Sequence, residues 1–203
     1  MRYDVIVVGA GPSGSTTARE CASLGLSALM LDKAEFPRDK PCGGAVMVRA
    51  ANLLPFDISP VSERTIFGMH LSRRSVGFTR HSPEELVYLT QRRHLDAFLA
   101  EQAVDTGVIF RQRAPIRGVE RHDTRVVVRT DDETFEASIL VAADGANGQT
   151  AKLAGVDAGL LKAIALEGNL TPTGEFPAEW DDVLGLDLGH PSGGYGWIFP
   201  KGD

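Results

Sequence analysis

The chain has 203 residues, a formal net charge of −6 at pH 7 and an ordinary hydrophobic content of 43%. The negative charge argues against a nucleic-acid surface, and two cysteines, Cys21 and Cys42, are too few for a disulfide-stapled secreted fold. No apolar run approaches the roughly 20 residues of a membrane span, and strand-like sequence begins almost at Met1. We therefore expect a cytoplasmic protein without a leader peptide, and contact with a membrane surface stays open.

The first 32 residues carry a dinucleotide-binding pattern. The apolar run Val5–Val8 predicts a strand, which leads through a Gly-x-Gly-x-x-Gly turn into a helix and then into a second strand ending at Asp32. The turn consists of Gly9, Ala10, Gly11, Pro12, Ser13 and Gly14. A glycine triplet alone is weak evidence, but here the strand, the helix and the acidic residue accompany it. We expect a nucleotide site; the alternative is a glycine-rich turn that binds nothing.

Each residue of this pattern has a physical task in such a site. Gly9 permits the tight turn, Gly11 lets the backbone approach a pyrophosphate, and Gly14 lets the helix pack closely on the sheet. The amides and the positive dipole end of the helix then face the diphosphate. Asp32 accepts hydrogen bonds from a ribose diol, and its charge repels a 2′-phosphate. The pattern therefore favours FAD or NAD over NADP at this position.

A loop rich in proline and glycine follows over residues 33–60. Within it, Lys40-Pro41-Cys42-Gly43-Gly44 gives a cysteine a specially shaped backbone, because proline fixes one angle and the glycines allow positive φ. The charges of Arg38 and Lys40 nearby favour the thiolate form of Cys42. The alternative is a surface loop with an incidental cysteine.

The middle of the chain is predicted to contain strands and one helix. Residues 62–80 predict two short strands, and residues 87–89 predict another. Thr90 is expected to cap a helix that runs to about Thr106. Arg92 lies in its first turn, where a guanidinium can reach a phosphate or point into solvent. The buried face of this helix is predicted to carry Leu95, Phe98, Leu99, Gln102 and Ala103.

The second half of the chain is predicted to be mainly strands. Residues 108–110 return to the parallel sheet, and an antiparallel meander is predicted near residues 116–120, 125–129 and 134–137. A buried strand over Ile139–Ala142 precedes a turn that contains Asp144 and Gly145. Strands of a different sheet are predicted near residues 160–170, 182–189 and 194–199.

Three aromatic residues alternate near the end of the chain, at Tyr195, Trp197 and Phe199. On a strand their side chains share one face. Such a row lines an apolar ligand cavity or forms the core face of a sheet, and the pattern alone leaves both interpretations open.

Together these motifs resemble the geranylgeranyl reductase family, within the large class of flavoproteins related to the aromatic hydroxylases. The resemblance covers essentially all 203 residues. The glycine fingerprint and the Asp-Gly segment are shared by the whole class, whereas the Cys-Gly-Gly loop and the Tyr-x-Trp-x-Phe-Pro strand point to the reductases. The motifs that carry it are Gly9–Gly14 with Asp32, Lys40–Gly44, Arg92-x-x-Leu95-Asp96, Ala143-Asp144-Gly145 and Tyr195-x-Trp197-x-Phe199-Pro200.

The element order and the resemblance predict an α/β fold with two interleaved domains. An FAD-binding, Rossmann-like three-layer domain, with a parallel sheet and a β-meander, is expected over residues 1–61 and 85–156. Parts of an incomplete antiparallel-sheet substrate domain are expected over residues 62–84 and 157–203.

The resemblance implies a role for each motif. Arg92 would reach toward the FAD diphosphate, and Asp144 and Gly145 would lie near FAD and an incoming nicotinamide. Cys42 would lie beside the isoalloxazine ring, where the family's cysteine is implicated in reduction. The aromatic row Tyr195, Trp197 and Phe199 would line the cavity for a prenyl chain. The residues expected to contact FAD are Gly9, Gly11, Pro12, Ser13, Gly14, Asp32, Lys33, Cys42, Gly43, Gly44, Arg92, Asp144 and Gly145.

The implied activity is FAD-dependent reduction of isoprenoid double bonds in a prenyl lipid or prenylated pigment, with NADPH or reduced ferredoxin as electron donor. A flavin hydride needs an apolar, water-poor site, and an isolated alkene needs a proton donor, such as a cysteine or an ordered water. Neither a metal site nor a nucleic-acid partner is expected.

The sequence also departs from the family pattern. Gly148 and Gln149 stand where the class often has a serine. Family members continue past Asp203 and have a second Gly-Asp segment that this sequence lacks, so we expect an N-terminal part that needs a complementing C-terminal region or chain. The alternatives are a flavin-dependent monooxygenase (hydroxylase) or halogenase, and a non-catalytic FAD-binding module or half of a split enzyme. The loop at Cys42 disfavours the hydroxylases.

Overall fold

The computed structural model describes residues 2–156, 159, 163–189 and 193–202. The chain forms two compact units: unit 1 contains Met1–Asp39 and Arg93–Ala165, and unit 2 contains Lys40–Arg92 and Leu166–Asp203. Unit 2 therefore includes stretches before residue 62 and after residue 84 that the sequence assigned to the FAD-binding domain. Because compactness alone defines the units, the domain boundaries stay a prediction.

The strands, in chain order, are β1 (Arg2–Val8), β2 (Ala28–Leu31), β3 (Ala45–Met47), β4 (Ser62–Ile66), β5 (Gly68–Arg73), β6 (Val76–His81), β7 (Val87–Thr90), β8 (Ile109–Arg111), β9 (Gly118–Arg121), β10 (Val126–Arg129), β11 (Thr134–Ala142), β12 (Val183–Asp187) and β13 (Gly196–Ile198). The α-helices are α1 (Pro12–Ser23), α2 (Val48–Ala51), α3 (Arg92–Asp105) and α4 (Thr150–Leu153).

Unit 1 is built on a six-stranded sheet with the order β8-β2-β1-β11-β10-β9. Strand β1 pairs in parallel with β2 and β11, and β2 pairs in parallel with β8. Strand β2 and residues 5–8 of β1 are buried, and their continuous apolar sequences are typical of parallel strands covered on both faces. The predicted α/β fold, with a parallel sheet extended by a meander, is confirmed.

Strand β11 corrects one detail of the sequence prediction. Residues 134–137 and 139–142 form one nine-residue strand rather than two. Its first part pairs antiparallel with β10, and residues 136–142 pair in parallel with β1. The strand ends next to the glycine turn, since the Ala143 amide donates to the Val8 carbonyl at 2.8 Å.

Helix α3 begins at Arg92, two residues later than the predicted cap at Thr90. Thr90 is the last residue of β7, its hydroxyl donates to the Gly44 carbonyl at 2.9 Å, and Gln91 separates it from the helix. The buried residues of α3 are Leu95, Asp96, Leu99, Ala100 and Ala103, whereas Phe98 and Gln102 are half-buried. The helix therefore buries a carboxylate that the apolar pattern did not select.

Unit 2 contains a four-stranded sheet, β13-β12-β5-β6, and a three-stranded sheet, β3-β7-β4. Where two strands were predicted within residues 62–80, the structure has three, β4, β5 and β6. The predicted strands near 182–189 and 194–199 correspond to β12 and β13. For the strand predicted at 160–170, residues 160–162 lie outside the described residues, and residues 163–170 form no strand.

Candidate functional site

The glycine turn follows β1 and has no room for larger residues. A Cβ on Gly9, whose φ is +100°, would lie 2.3 Å from the Ala143 carbonyl oxygen. A Cβ on Gly14 would lie 1.7 Å from the Gly9 carbonyl oxygen. Because both obstacles are backbone atoms, no side-chain rotation relieves them. The fold therefore brings this turn against the residue that precedes Asp144.

The N-terminus of α1 emerges from this turn. Gly11 is its N-cap, Pro12 occupies the first turn, and the first turn contains neither a side-chain cap nor an acidic residue. Helix amides without a side-chain acceptor, together with the positive end of the helix dipole, suit an anionic ligand. The twelve-residue helix therefore fits the diphosphate of a dinucleotide.

Asp32 lies just past the end of β2 and is 8% exposed. One carboxylate oxygen accepts the Ala10 amide at 2.8 Å, and the other accepts the Ala34 amide at 2.8 Å. Since a carboxylate oxygen has a second lone pair, both oxygens retain capacity for a ribose hydroxyl. Asp32 also ties the glycine turn to β2, a role that the sequence analysis missed. Lys33, beside it, is exposed.

Asp144 shapes the turn after β11. One of its oxygens accepts the Gln149 amide at 2.7 Å, the Thr150 amide at 2.9 Å and the Thr150 hydroxyl at 2.7 Å, and so holds the start of α4. A Cβ on Gly148 would lie 2.2 Å from the Asp144 carboxyl carbon. The departure from the class pattern at Gly148 thus has a structural reason. In this arrangement a serine there would collide with the Asp144 carboxylate.

The cysteine loop, Lys40–Gly44, contacts the aromatic row within unit 2. A Cβ on Gly43 would lie 2.6 Å from Phe199 Cε2 and 3.2 Å from Trp197 Nε1. The Gly44 carbonyl accepts both the amide and the hydroxyl of Thr90, each at 2.9 Å. Cys42 is a free, exposed thiol. Two motifs far apart in sequence are therefore brought together here.

The aromatic row is continuous. Ring centroids lie 6.0 Å apart between Tyr195 and Trp197, and 6.4 Å apart between Trp197 and Phe199. Phe199 packs against a core cluster formed by Ile66, Val87, Leu89 and Leu184, whereas Tyr195 is 59% exposed. The row therefore joins the core at one end and leaves an apolar surface open at the other.

Lys201 extends the same side of the chain and was missed by the sequence analysis. Its Nζ lies 3.5 Å from the position of a Cβ on Gly44, and Arg64 Nε donates to its carbonyl at 3.0 Å. The period of two that relates the three aromatic residues continues to position 201, and this was the signal available in the sequence. The ammonium group of Lys201 therefore lies beside the cysteine loop.

Arg92 and Arg38 were both predicted to act near the cofactor or the cysteine. Arg92 is the first residue of α3 and is half-buried. Arg38 was expected to act on Cys42, but its Nη2 lies 3.0 Å from Asp96 Oδ2 in an ion pair. Its charge is therefore balanced by Asp96 rather than by a thiolate.

Within the described residues, 2–156, 159, 163–189 and 193–202, no group of three or more His, Cys, Asp and Glu side chains is placed to hold a metal ion. In the same part of the chain, no helix has the length and apolar character needed to cross a membrane.

Comparison with known proteins agrees with this geometry. A family model described as FAD binding domain matches residues 2–171. The chain belongs to this FAD-binding family. The glycine turn and the α1 N-terminus offer backbone amides suited to a diphosphate, and Asp32 offers carboxylate oxygens suited to a ribose; that they contact FAD stays a prediction.

Two curated relatives carry informative names. The chain is 30% identical to digeranylgeranylglycerophospholipid reductase of Thermoplasma volcanium, over 99% of this chain and 54% of the relative. It is 32% identical to geranylgeranyl diphosphate reductase of Rhodobacter capsulatus, over 100% of this chain and 53% of the relative. The chain thus spans about half the length of these relatives.

Solved structures show the same fold. A geranylgeranyl bacteriochlorophyll reductase-like protein from Thermoplasma acidophilum matches with a TM-score of 0.78 and 25% identity, over 99% of this chain and 54% of that protein. The myxobacterial chondrochloren halogenase CndH matches with a TM-score of 0.77 and 18% identity, over 100% of this chain and 51% of the halogenase. At that identity the halogenase likeness concerns the fold alone.

Proposed function

We propose that this protein is the N-terminal, flavin-binding part of a FAD-dependent reductase that saturates carbon–carbon double bonds in geranylgeranyl-type prenyl chains. The observation that carries this proposal is the contact of Gly43 with Trp197 and Phe199. It joins a loop with an exposed thiol to an apolar aromatic surface. An alkene reduction needs these two elements next to each other.

The proposed chemistry divides among the residues as follows. Bound FAD supplies a hydride when reduced. Helix α1 and the glycine turn hold the diphosphate, Asp32 binds the adenosine ribose, and Arg92 reaches toward the diphosphate. Cys42 donates a proton to the second alkene carbon, and the aromatic row, Tyr195, Trp197 and Phe199, holds the prenyl chain and excludes water. Hydride and proton together account for the two hydrogens that each double bond gains.

The electron donor and the remaining partners are part of the same proposal. NADPH or reduced ferredoxin supplies the two electrons, and Asp144 with Gly145 lies near a nicotinamide when NADPH is the donor. The substrate is a prenyl lipid or prenylated pigment, reached from the cytoplasmic side of a membrane surface. Polypeptide equivalent to the other half of the relatives completes the enzyme.

The two cysteines of the chain offer a matched test. Cys42→Ala is expected to retain flavin absorbance but to lower alkene reduction by about 100-fold or more, because the proton donor is gone. Cys21, in α1, is half-buried against the unit 1 core, and Cys21→Ala is expected to leave turnover unchanged. The measurement is the mass gain of a geranylgeranyl lipid, with NADPH and reduced ferredoxin tested in separate reactions. The polypeptide equivalent to the other half of the relatives, called the C-terminal half below, is added to each reaction.

The outcomes separate the parts of the proposal. Absence of flavin absorbance in the purified wild-type protein, complemented by the C-terminal half, would overturn the FAD assignment. Equal turnover of Cys42→Ala and wild type would remove Cys42 from the chemistry.

A flavin-dependent halogenase or hydroxylase is the second candidate, because the fold is shared with the halogenase CndH over the whole of this chain and 51% of CndH. This candidate predicts that the reduced protein consumes oxygen and modifies an aromatic ring while leaving prenyl alkenes untouched. A third outcome, stable FAD binding without turnover of either kind by the complemented protein, would instead identify a non-catalytic binding module.

A further inference from the structure

A buried ion pair in unit 1 has no role in the function proposed so far. Asp96, on α3, has a fully buried side chain, and its Oδ2 lies 3.0 Å from Nη2 of Arg38, which is 19% exposed. A second, exposed pair lies beside it, where Arg93 Nη1 and Asp39 Oδ2 are 3.3 Å apart. Two consecutive residues after β2 are thus paired with two residues in the first turns of α3.

These pairs lie where the chain leaves and re-enters unit 1. Unit 1 ends its first segment at Asp39 and resumes at Arg93. The exit segment, which ends at Asp39, and the return segment, which begins at Arg93, are therefore held side by side by ion pairs within unit 1.

Both segments lead directly to expected cofactor contacts. Cys42 is four residues after Arg38, and Arg92 is four residues before Asp96. Consecutive Cα atoms are about 3.8 Å apart, so Cys42 lies within about 15 Å of Arg38 and Arg92 within about 15 Å of Asp96.

The exit segment is also fixed against β8. The Arg38 guanidinium carbon lies 4.7 Å from the centroid of the Phe36 ring, which makes an edge-to-face contact with Phe110 at 5.5 Å. The Phe36 amide donates to the Gln112 side chain at 2.5 Å. The chain is therefore anchored within unit 1 as far as Arg38.

The pair is not arranged for maximal hydrogen bonding. Arg38 Nη1 is buried and has no acceptor among the described residues, although Nη2 is paired with Asp96. Buried ion pairs are weak evidence for stability, and their best-attested use is to specify one geometry.

We infer that Arg38 and Asp96 are positioning residues, whose buried ion pair fixes the two points from which the chain runs to Cys42 and returns from Arg92. This inference rests on the proposed function, because the contacts of Cys42 and Arg92 with FAD belong to it. The chemical role of the pair is indirect, since it acts on the flavin through two backbone segments.

Asp96→Asn tests this inference because it keeps the size of the side chain while removing its charge and exchanging one acceptor oxygen for a donor. In the protein complemented by the C-terminal half, we expect FAD affinity to fall by about tenfold or more and the flavin absorbance maxima to shift, because small displacements of contact groups have large effects. Without FAD, hydrogen exchange is expected to quicken at residues 38–44 and 90–96 and to stay unchanged in β1 and β2.

The exposed neighbouring pair supplies the matched control. Asp39→Asn is expected to leave FAD affinity, the flavin spectrum and hydrogen exchange near wild-type values, because an exposed pair is screened by solvent. Arg38→Lys keeps the charge but loses the planar fork, and an intermediate effect is expected. If Asp96→Asn does not fold, as judged by circular dichroism, Arg38→Lys decides the question.

Three results would each carry a distinct meaning. Wild-type affinity, spectrum and exchange in both Asp96→Asn and Arg38→Lys would overturn the inference. Faster exchange throughout unit 1 with an unchanged flavin spectrum would overturn it as well, since the pair would then be purely structural. Absence of FAD binding by the complemented wild type would overturn the proposed function, and the local exchange pattern would still test whether the pair fixes the two segments.

Discussion

The glycine turn of unit 1 and the cysteine loop of unit 2 are both short glycine-containing segments, but different atoms fix them. At Gly9 and Gly14, the space of a missing Cβ is occupied by backbone oxygens. At Gly43 that space is occupied by the rings of Phe199 and Trp197. A backbone carbonyl next to a strand end moves only if the turn or the helix moves with it, whereas a side chain at the edge of a core can rotate.

This difference suits the two proposed tasks. A diphosphate has the same shape in every dinucleotide, so a turn without adaptability serves it well. A prenyl chain has many rotatable bonds, and an adaptable surface of side chains accommodates it better. Strand β2 and residues 5–8 of β1, which support the turn, are buried, while Tyr195 at the outer end of the aromatic row is 59% exposed.

Gly14→Ala is expected to have the largest effect, since it tests the backbone-fixed region. Its Cβ would lie 1.7 Å from the Gly9 carbonyl oxygen. The helix or the turn must move, which we expect to lower the free energy of unfolding by about 3 kcal/mol or more. Chemical denaturation measures this change, and flavin absorbance of the complemented protein is expected to fall with it.

Gly25→Ala is the control for this substitution. Gly25 has a φ of +83° but no atom within 4 Å of a Cβ, so only backbone strain opposes the alanine. A loss of about 1 kcal/mol is expected. Equal losses at the two positions would show that close backbone contact does not distinguish the turn.

Gly43→Ala tests the region that side chains fix, and a smaller effect is expected. Phe199 Cε2 lies 2.6 Å from the new Cβ, but the ring can give way, so we expect a stability loss of about 1 kcal/mol. The displaced rings are expected to change the fluorescence of Trp197, measured in a Trp180→Phe background so that one tryptophan remains.

Gly118→Ala serves as the control for Gly43→Ala, because a Cβ there meets no atom within 4 Å. It is expected to leave tryptophan fluorescence unchanged. A stability loss at Gly43 as large as that at Gly14 would contradict the contrast between the two regions.

The same contrast explains how much the sequence could predict. The strand, turn and helix around Gly9–Gly14 depend on neighbours in sequence, and their pattern was sufficient to predict them. The burial of Asp96 depends on Arg38, which lies far away in the chain, so helix periodicity could not reveal it. The second role of Thr90 was missed for a similar reason, because its place at the end of β7 and its bond to the distant Gly44 carbonyl depend on the fold.

Within the candidate site the same rule holds residue by residue. Asp32 was predicted from its position at the end of the βαβ unit, but its bond to the Ala10 amide required the folded turn. The need for glycine at position 148 appears only when the Asp144 carboxylate is seen beside it. Motifs predicted the parts of the candidate site, and contacts between distant segments show how those parts are held in the fold.

The smallest effect on stability is expected from a substitution near the N-terminal end of β1, away from the glycine turn. There Asp4, an exposed residue, accepts the Ser27 amide at 2.8 Å and the Ser27 hydroxyl at 2.6 Å. These bonds hold the pKa of Asp4 below its ordinary value of 3.8. A carboxyl whose pKa is lowered by folding stabilises the protein above its unfolded pKa, and this contribution is lost as the pH falls through the folded value.

Asp4→Asn is therefore expected to reduce stability slightly at neutral pH and to have progressively less effect below about pH 4. Ser27→Ala keeps the titrating carboxylate but removes the strongest of its hydrogen bonds, so its effect is expected to lie between those of Asp4→Asn and wild type. Denaturation midpoints measured from pH 7 down to about pH 2.5 follow this dependence. If the Asp4→Asn difference instead grew on acidification, the carboxylate would be destabilising when ionised, and the exposed end of β1 would not be held by this bond.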